Sequence, residues 1–144
     1  MKSDFVVPGW SALLALQRAT HATLRALATD LAALDLTASE INVLANLADG
    51  RARTVSELGA AVGSRPTTLT SVLDRLERRG HITRGPRPGD RRAVLIAPTA
   101  SGLRTAATIR TAMADLEHRA LAGLPRDALA GLRAGLDALT EASS

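Results

Sequence analysis

Cysteine is absent from this chain of 144 residues, and lysine and the aromatics are nearly so. Without thiols there is no disulfide framework, no thiolate metal site and no cysteine redox sensor. With one Trp, one Phe and no Tyr, the apolar content rests on Ala and Leu, which favour helix over strand. No run approaches the roughly 18 apolar residues of a membrane span. The opening MKSDFVVPGWSALLAL lacks the basic-then-apolar order of a secretory leader. A cytoplasmic setting is expected. Enzyme signatures are missing too. His21, His81 and His118 are far apart and lack metal-ligand spacing. There is no Gly-x-Ser-x-Gly, and the Gly85–Gly89 loop lacks the Gly-Lys-Ser/Thr of a phosphate loop. No catalytic residue, metal or cofactor is therefore expected.

What is present is arginine: seventeen of the eighteen basic residues. Arg bonds phosphate bidentately, but a GC-rich genome alone would produce this bias. Position is more informative than number. From Arg65 to Arg92 there are eight Arg against Asp74, Glu77 and Asp90, a net +5, while the whole chain is +4. Everything outside that window therefore sums to −1. Positive charge gathered in one segment marks a binder of polyanions, most commonly nucleic acid.

The periodicity predicts a mainly α protein filling residues 1–144 as one domain. Leu24, Leu27, Leu31 and Leu34 recur at helical spacing within a first helix from Trp10 to about Ala33. Thr37, with Glu40 three residues on, predicts a capping box that opens a second helix. Thr54 or Ser56 opens a short third helix that Gly63 ends. Ser64 is expected to cap the fourth, with Pro66 in its first turn and Gly80 closing it. Two helices joined by a tight Gly-containing turn describe a helix-turn-helix. On the fourth helix Leu69, Val72, Leu73 and Leu76 share one face, while Thr67, Thr70, Ser71, Asp74 and Arg78 share the other. Small hydroxyls there would let the helix sit deep in a groove. Strands are expected over His81–Arg84 and Ala93–Ala97, joined by the loop GPRPGDRR; such a hairpin after a helix-turn-helix is a wing. A long helix to about Ala122 follows, with a stripe of Leu103, Ala106, Met113, Leu116 and Ala120. A last helix places Leu129, Leu132, Leu136 and Leu139 on one face. These terminal helices carry more apolar surface than a small winged domain can cover, so they are expected to pack together and with those of a second subunit.

This arrangement resembles the MarR family of winged helix-turn-helix regulators. LTASEINVLANL (Leu36–Leu47) resembles the opening helix of the family's DNA-binding lobe, and VSELGAAVGSRPTTLTSVLDRLERRGHI (Val55–Ile82) its helix-turn-helix. Asp90-Arg91-Arg92 with Ile96 and Thr99 resembles its wing signature. Pro98 departs from the Leu usual there, and Ser71 stands where many members carry Arg. The resemblance implies a DNA-binding lobe over residues 36–99, flanked by dimerisation helices over 10–34 and 99–142. It implies a homodimer on an inverted-repeat operator of double-stranded DNA, with repression the commoner mode and release by a small ligand.

Arg65, Thr67, Thr68, Thr70, Ser71 and Arg75 are the candidate readers on the fourth helix, with Arg directed to guanine and Thr to phosphate or a thymine methyl. Ser64 is a helix cap whose backbone N–H could meet a phosphate. Arg87 and Arg91 are candidate phosphate contacts. By resemblance, Arg92 enters the minor groove and Asp90 orients it. Trp10, Arg18, His21 and Arg25 lie on or near the first helix, which in the family lines a cleft, and form a candidate site for a small aromatic or anionic effector. Against that stands the simpler view of Trp10 as filler and the others as solvated. The competing class for the whole chain is a winged-helix interaction module that meets an acidic protein partner.

Overall fold

The computed structural model describes residues 8–143. The chain divides after Ala112 into two compact units. The first holds helix α1 (Ala12–Asp30), a 3-10 turn (Ala32–Leu34), α2 (Ala38–Asn46), strand β1 (Arg53–Thr54), α3 (Val55–Val62), α4 (Pro66–Arg78), β2 (Ile82–Arg87), β3 (Asp90–Pro98) and the first half of α5 (Ala100–Leu121). The second holds the end of α5 and α6 (Arg126–Ala142).

Local chemistry sets the helix starts. Ser11 accepts from the Leu14 N–H to cap α1. Thr37 and Glu40 form the expected capping box on α2, and Thr54 and Glu57 form a second on α3. Caps of this kind contribute roughly 1 kcal/mol each. Gly63 ends α3 in the left-handed region at φ 67°, its N–H returning to the Gly59 carbonyl. The cap of α4 differs from expectation. Arg65, not Ser64, is the N-cap residue, and no side chain caps the helix. Pro66 is the reason: a residue preceding proline is driven from the helical region, so Arg65 stays extended at ψ 150° and the helix starts one residue later.

The wing is longer than the sequence suggests. β2 and β3 run through most of the Pro/Gly/Arg loop and leave Pro88 and Gly89 as the turn, with Gly89 at φ 82°. Pro86 is tolerated because the order β1-β3-β2 puts β2 on an edge, and the register slips between Pro86 and Arg87. β1 pairs Arg53 with Ile96 and Thr54 with Leu95; at two residues it is too short to show an alternating pattern.

The core of the first unit lies under α4. Leu69, Val72, Leu73 and Leu76 are buried, with Leu44, Leu47, Leu58, Ile82, Ile96 and Ile109. On α5 the buried positions are Gly102, Ala106 and Ile109. The expected stripe holds at Ala106, but Leu103 is exposed. Gly102 explains the rotation. It lies against the His81 backbone so closely that a Cβ would collide with the His81 carbonyl oxygen, which turns the 102–106–109 face inward. The terminal helices remain largely uncovered: α6 buries no residue, and Leu129, Leu132 and Leu136 are exposed, as are Leu13 and Leu14 of α1.

Gly102→Ala should therefore lower stability by at least about 1–3 kcal/mol, the usual cost of overpacking against an unyielding neighbour. A thermal melt of the purified variant within a degree of the parent would contradict this packing.

Candidate nucleic-acid interface

On α4 the outward residues Thr67, Thr68, Thr70 and Ser71 are exposed, as is Arg65 before them, while Ser64 is half-buried. The hydroxyls are not equivalent. Thr70 Oγ1 donates to the Pro66 carbonyl at 2.9 Å, so it shows lone pairs and a methyl outward. Ser71 Oγ instead accepts from Arg75 Nη1 at 3.1 Å. Arg75, expected to point at a ligand, is folded back: its buried Nε lies 3.9 Å from Oε1 of Glu40, which is itself buried.

In the wing, Arg87, Asp90, Arg91 and Arg92 are all exposed. Asp90 Oδ1 accepts from the Arg92 backbone N–H at 3.0 Å. Its hold on Arg92 is thus through the main chain, a local turn bond typical of Asp; a carboxylate–guanidinium pair between the two is not among the ion pairs of the described residues.

Arg84 of β2 joins wing to helix. Its Nη2 lies 2.8 Å from Asp74 and 2.7 Å from Glu77, both on α4. The hydrogen bond from Arg84 holds the Glu77 carboxyl below the usual carboxylate range, and the bonds to Glu77 and Asp74 raise the Arg84 guanidinium. The two acids that would repel a polyanion are thus engaged by one cation. Sequence reasoning passed over Arg84 because the partners come from different elements.

The end of α4 is held from two sides. Arg79 donates to the carbonyls of Asp35 (2.6 Å) and Leu34 (3.0 Å) at the exit from α1. Thr99 donates from Oγ1 to the Gly80 carbonyl at 2.6 Å and accepts from the Gly102 N–H at 3.0 Å, so it caps α5 while holding the turn. Half-buried His81 sits in that turn with Nδ1 3.3 Å from Ser101 Oγ, and burial lowers its pKa.

Trp10, Arg18, His21 and Arg25 are all exposed. A depression of about 590 Å³ in the first unit is lined by other residues, among them Asn46, Asp49, Arg53, Ala107 and Arg110. Within it Arg53 grips Asp49 through two bonds of 3.0 and 2.8 Å, which hold that carboxyl far below its ordinary range. Only the fold brings α2 and α5 together here, so sequence spacing gave no sign of it.

A helix-turn-helix whose second helix presents hydroxyls, followed by an arginine-tipped hairpin on a three-stranded sheet, defines a winged helix-turn-helix module. Residues 36–94 match the model of the MarR family. The multiple antibiotic resistance protein MarR of Escherichia coli is 36% identical over 72 residues, half of this chain and half of that protein. CouR of Rhodococcus jostii, solved bound to p-coumaroyl-CoA, is similar at TM-score 0.78 and 27% identity over 87% of this chain and 88% of that one. A cysteine-to-serine variant of E. coli MarR, solved with operator DNA, gives TM-score 0.72 and 28% identity over 86% of this chain and 89% of that one. These comparisons liken the chain to the MarR family, the family model covering residues 36–94.

Arg84→Met should cost about 1 kcal/mol or less of stability, since its partners are half-exposed, yet speed hydrogen exchange of the β2–β3 amides. Unchanged wing exchange would show that the brace holds nothing.

Proposed function

We propose that this protein is a sequence-specific regulator of transcription that binds an inverted-repeat operator as a homodimer, represses, and lets go when a small ligand binds. The observation that carries this is the exposed hydroxyl face of α4 beside the exposed Arg87, Arg91 and Arg92, with Asp74 and Glu77 engaged by Arg84. Arg65, Thr67, Thr68, Thr70 and Ser71 read the major groove, with Arg75 behind them, and the backbone at Ser64 meets a phosphate. Arg87 and Arg91 hold phosphates, which supply affinity without sequence information. Arg92 enters a narrow minor groove, whose potential attracts guanidinium, and Asp90 orients its backbone. The operator complex of E. coli MarR supports this mode of binding.

The uncovered leucines of α6 support a dimer. Burying one leucine fully contributes roughly 1.5–3 kcal/mol, so a self-complementary contact of several suffices. Two α4 helices about 34 Å apart then meet successive major grooves on one face of the duplex. The ligand-bound state of CouR supports a small effector, and the candidate positions are Trp10, Arg18, His21 and Arg25 and the depression beside Arg110. This role is binding rather than catalysis, and its setting is the cytoplasm.

Arg92→Ala should weaken operator binding by about 1–3 kcal/mol. The logarithm of affinity should fall steeply with the logarithm of salt, since phosphate contacts release counterions. Mobility shifts across a salt series check both. A flat slope, or no shift on any duplex but capture of an acidic protein, would favour the interaction-module alternative. Leu132→Glu with Leu136→Glu should yield monomers by light scattering with operator affinity lost; dimers that persist would place the contact elsewhere.

A further inference from the structure

We propose that Glu40 and Arg75 are positioning residues that set the hydrogen-bond polarity of Ser71, making its hydroxyl a directed donor that selects an acceptor on a base edge. The proposal rests on the DNA-binding role above and names a determinant of its specificity.

A serine inside a helix ordinarily turns its hydroxyl proton back to the carbonyl one turn earlier, as Thr70 does here toward Pro66. Ser71 is placed differently. Its oxygen receives a guanidinium N–H from Arg75, one turn along α4, at 3.1 Å. One lone pair is thereby used, and the adjacent cation polarises the O–H. A donor approaching from outside meets a hydroxyl already receiving a proton from a cation. An acceptor meets a strengthened O–H. In the major groove the acceptors are purine N7, guanine O6 and thymine O4, whereas the amino groups of adenine and cytosine are donors. Neighbouring Thr70 and Ser71 thus offer opposite polarity: outward lone pairs from one, an outward proton from the other.

Glu40 keeps Arg75 in this role. Glu40 is only 3% exposed. Oε1 is spent on the Thr37 N–H in the α2 capping box, and Oε2 has no hydrogen-bond partner. The Arg75 Nε, 3.9 Å from Oε1, is equally buried and unpartnered. A buried carboxylate demands a counter-charge, and removing one partner is strongly unfavourable. Swinging out to read a base itself would take Arg75 away from Glu40 and forfeit this ion pair. Arg75 is held over Ser71 from behind.

The test is selection from a random duplex library with the full chain and its variants. Ser71→Ala and Arg75→Met should each relax the same base pair of each half-site, lowering preference there about tenfold, with the other positions and the salt slope unchanged. Arg75→Lys, still a cationic donor, should retain the preference. Combining Ser71→Ala with Arg75→Met should relax it no further than either alone. Arg75→Met takes the ion-pair partner from Glu40 and so lowers stability; Glu40→Gln with Arg75→Met removes both charges, keeps the capping acceptor, and should melt near the parent while losing the same preference. Two results overturn the proposal. In one, Arg75→Met weakens all sequences equally and reduces the salt slope, which makes Arg75 a phosphate contact. In the other, it relaxes a base pair that Ser71→Ala leaves alone, which makes Arg75 a direct reader. A parent chain that enriches no sequence overturns the DNA-binding role itself, and this proposal with it.

Discussion

The turn Gly80–His81 is the constraint on which the rest of the first unit depends. Three helices meet there. The exit of α1 reaches it through Arg79, whose guanidinium takes the carbonyls of Leu34 and Asp35. The start of α5 reaches it through Thr99 and through Gly102, whose missing side chain lets the helix lie directly on the His81 backbone. Between them ends α4, the helix that carries the hydroxyl face. Helix ends are where unsatisfied carbonyls collect, and here those of one helix are met by the side chain of another. Position along α1 and α5 is therefore coupled to α4 through short, directional bonds in addition to the apolar core.

That geometry gives a physical route for regulation in the role proposed. A ligand shifts an equilibrium only as far as it binds two states differently. The bonds at the turn are few, so a small displacement of α1 breaks the Arg79 contact outright instead of stretching many weak ones. Asp35, at φ 53°, is the one non-glycine among the described residues in the left-handed region. It marks the segment between the 3-10 turn and α2 as a place where the surroundings hold the backbone.

Features local in sequence were legible before the structure. The Thr37–Glu40 box, the buried face of α4 and the glycine stop of α3 all follow from spacing within a few residues, because each is settled by neighbours one turn away. The larger departures of the sequence reading from the structure were caused by distance. Arg75 resembles a reader on a helical wheel, but a wheel contains no Glu40. The α5 stripe was set by Leu spacing, whereas the observed rotation follows from one glycine meeting a carbonyl twenty-one residues earlier. Ser64 shows a smaller failure: it has the better capping side chain, but the steric demand of Pro66 on the preceding residue outranks it.

The arginines divide their work in a way that composition conceals. Of the eight between Arg65 and Arg92, Arg75, Arg79 and Arg84 are paired with groups on other elements. Arg65, Arg78, Arg87, Arg91 and Arg92 are exposed. Those five carry the outward charge, and the structural three set where it stands. Arg84 offsets Asp74 and Glu77, which would otherwise face the same ligand. Arg75 offsets the buried Glu40. Lysine could neutralise the same acids, but it lacks a planar fork of five donors. Arg79 spans two successive carbonyls and Arg84 two carboxylates a turn apart, and both arrangements need donors splayed in one plane. A genome's bias toward arginine accounts for the abundance, while these paired contacts account for why the residue type matters at particular positions.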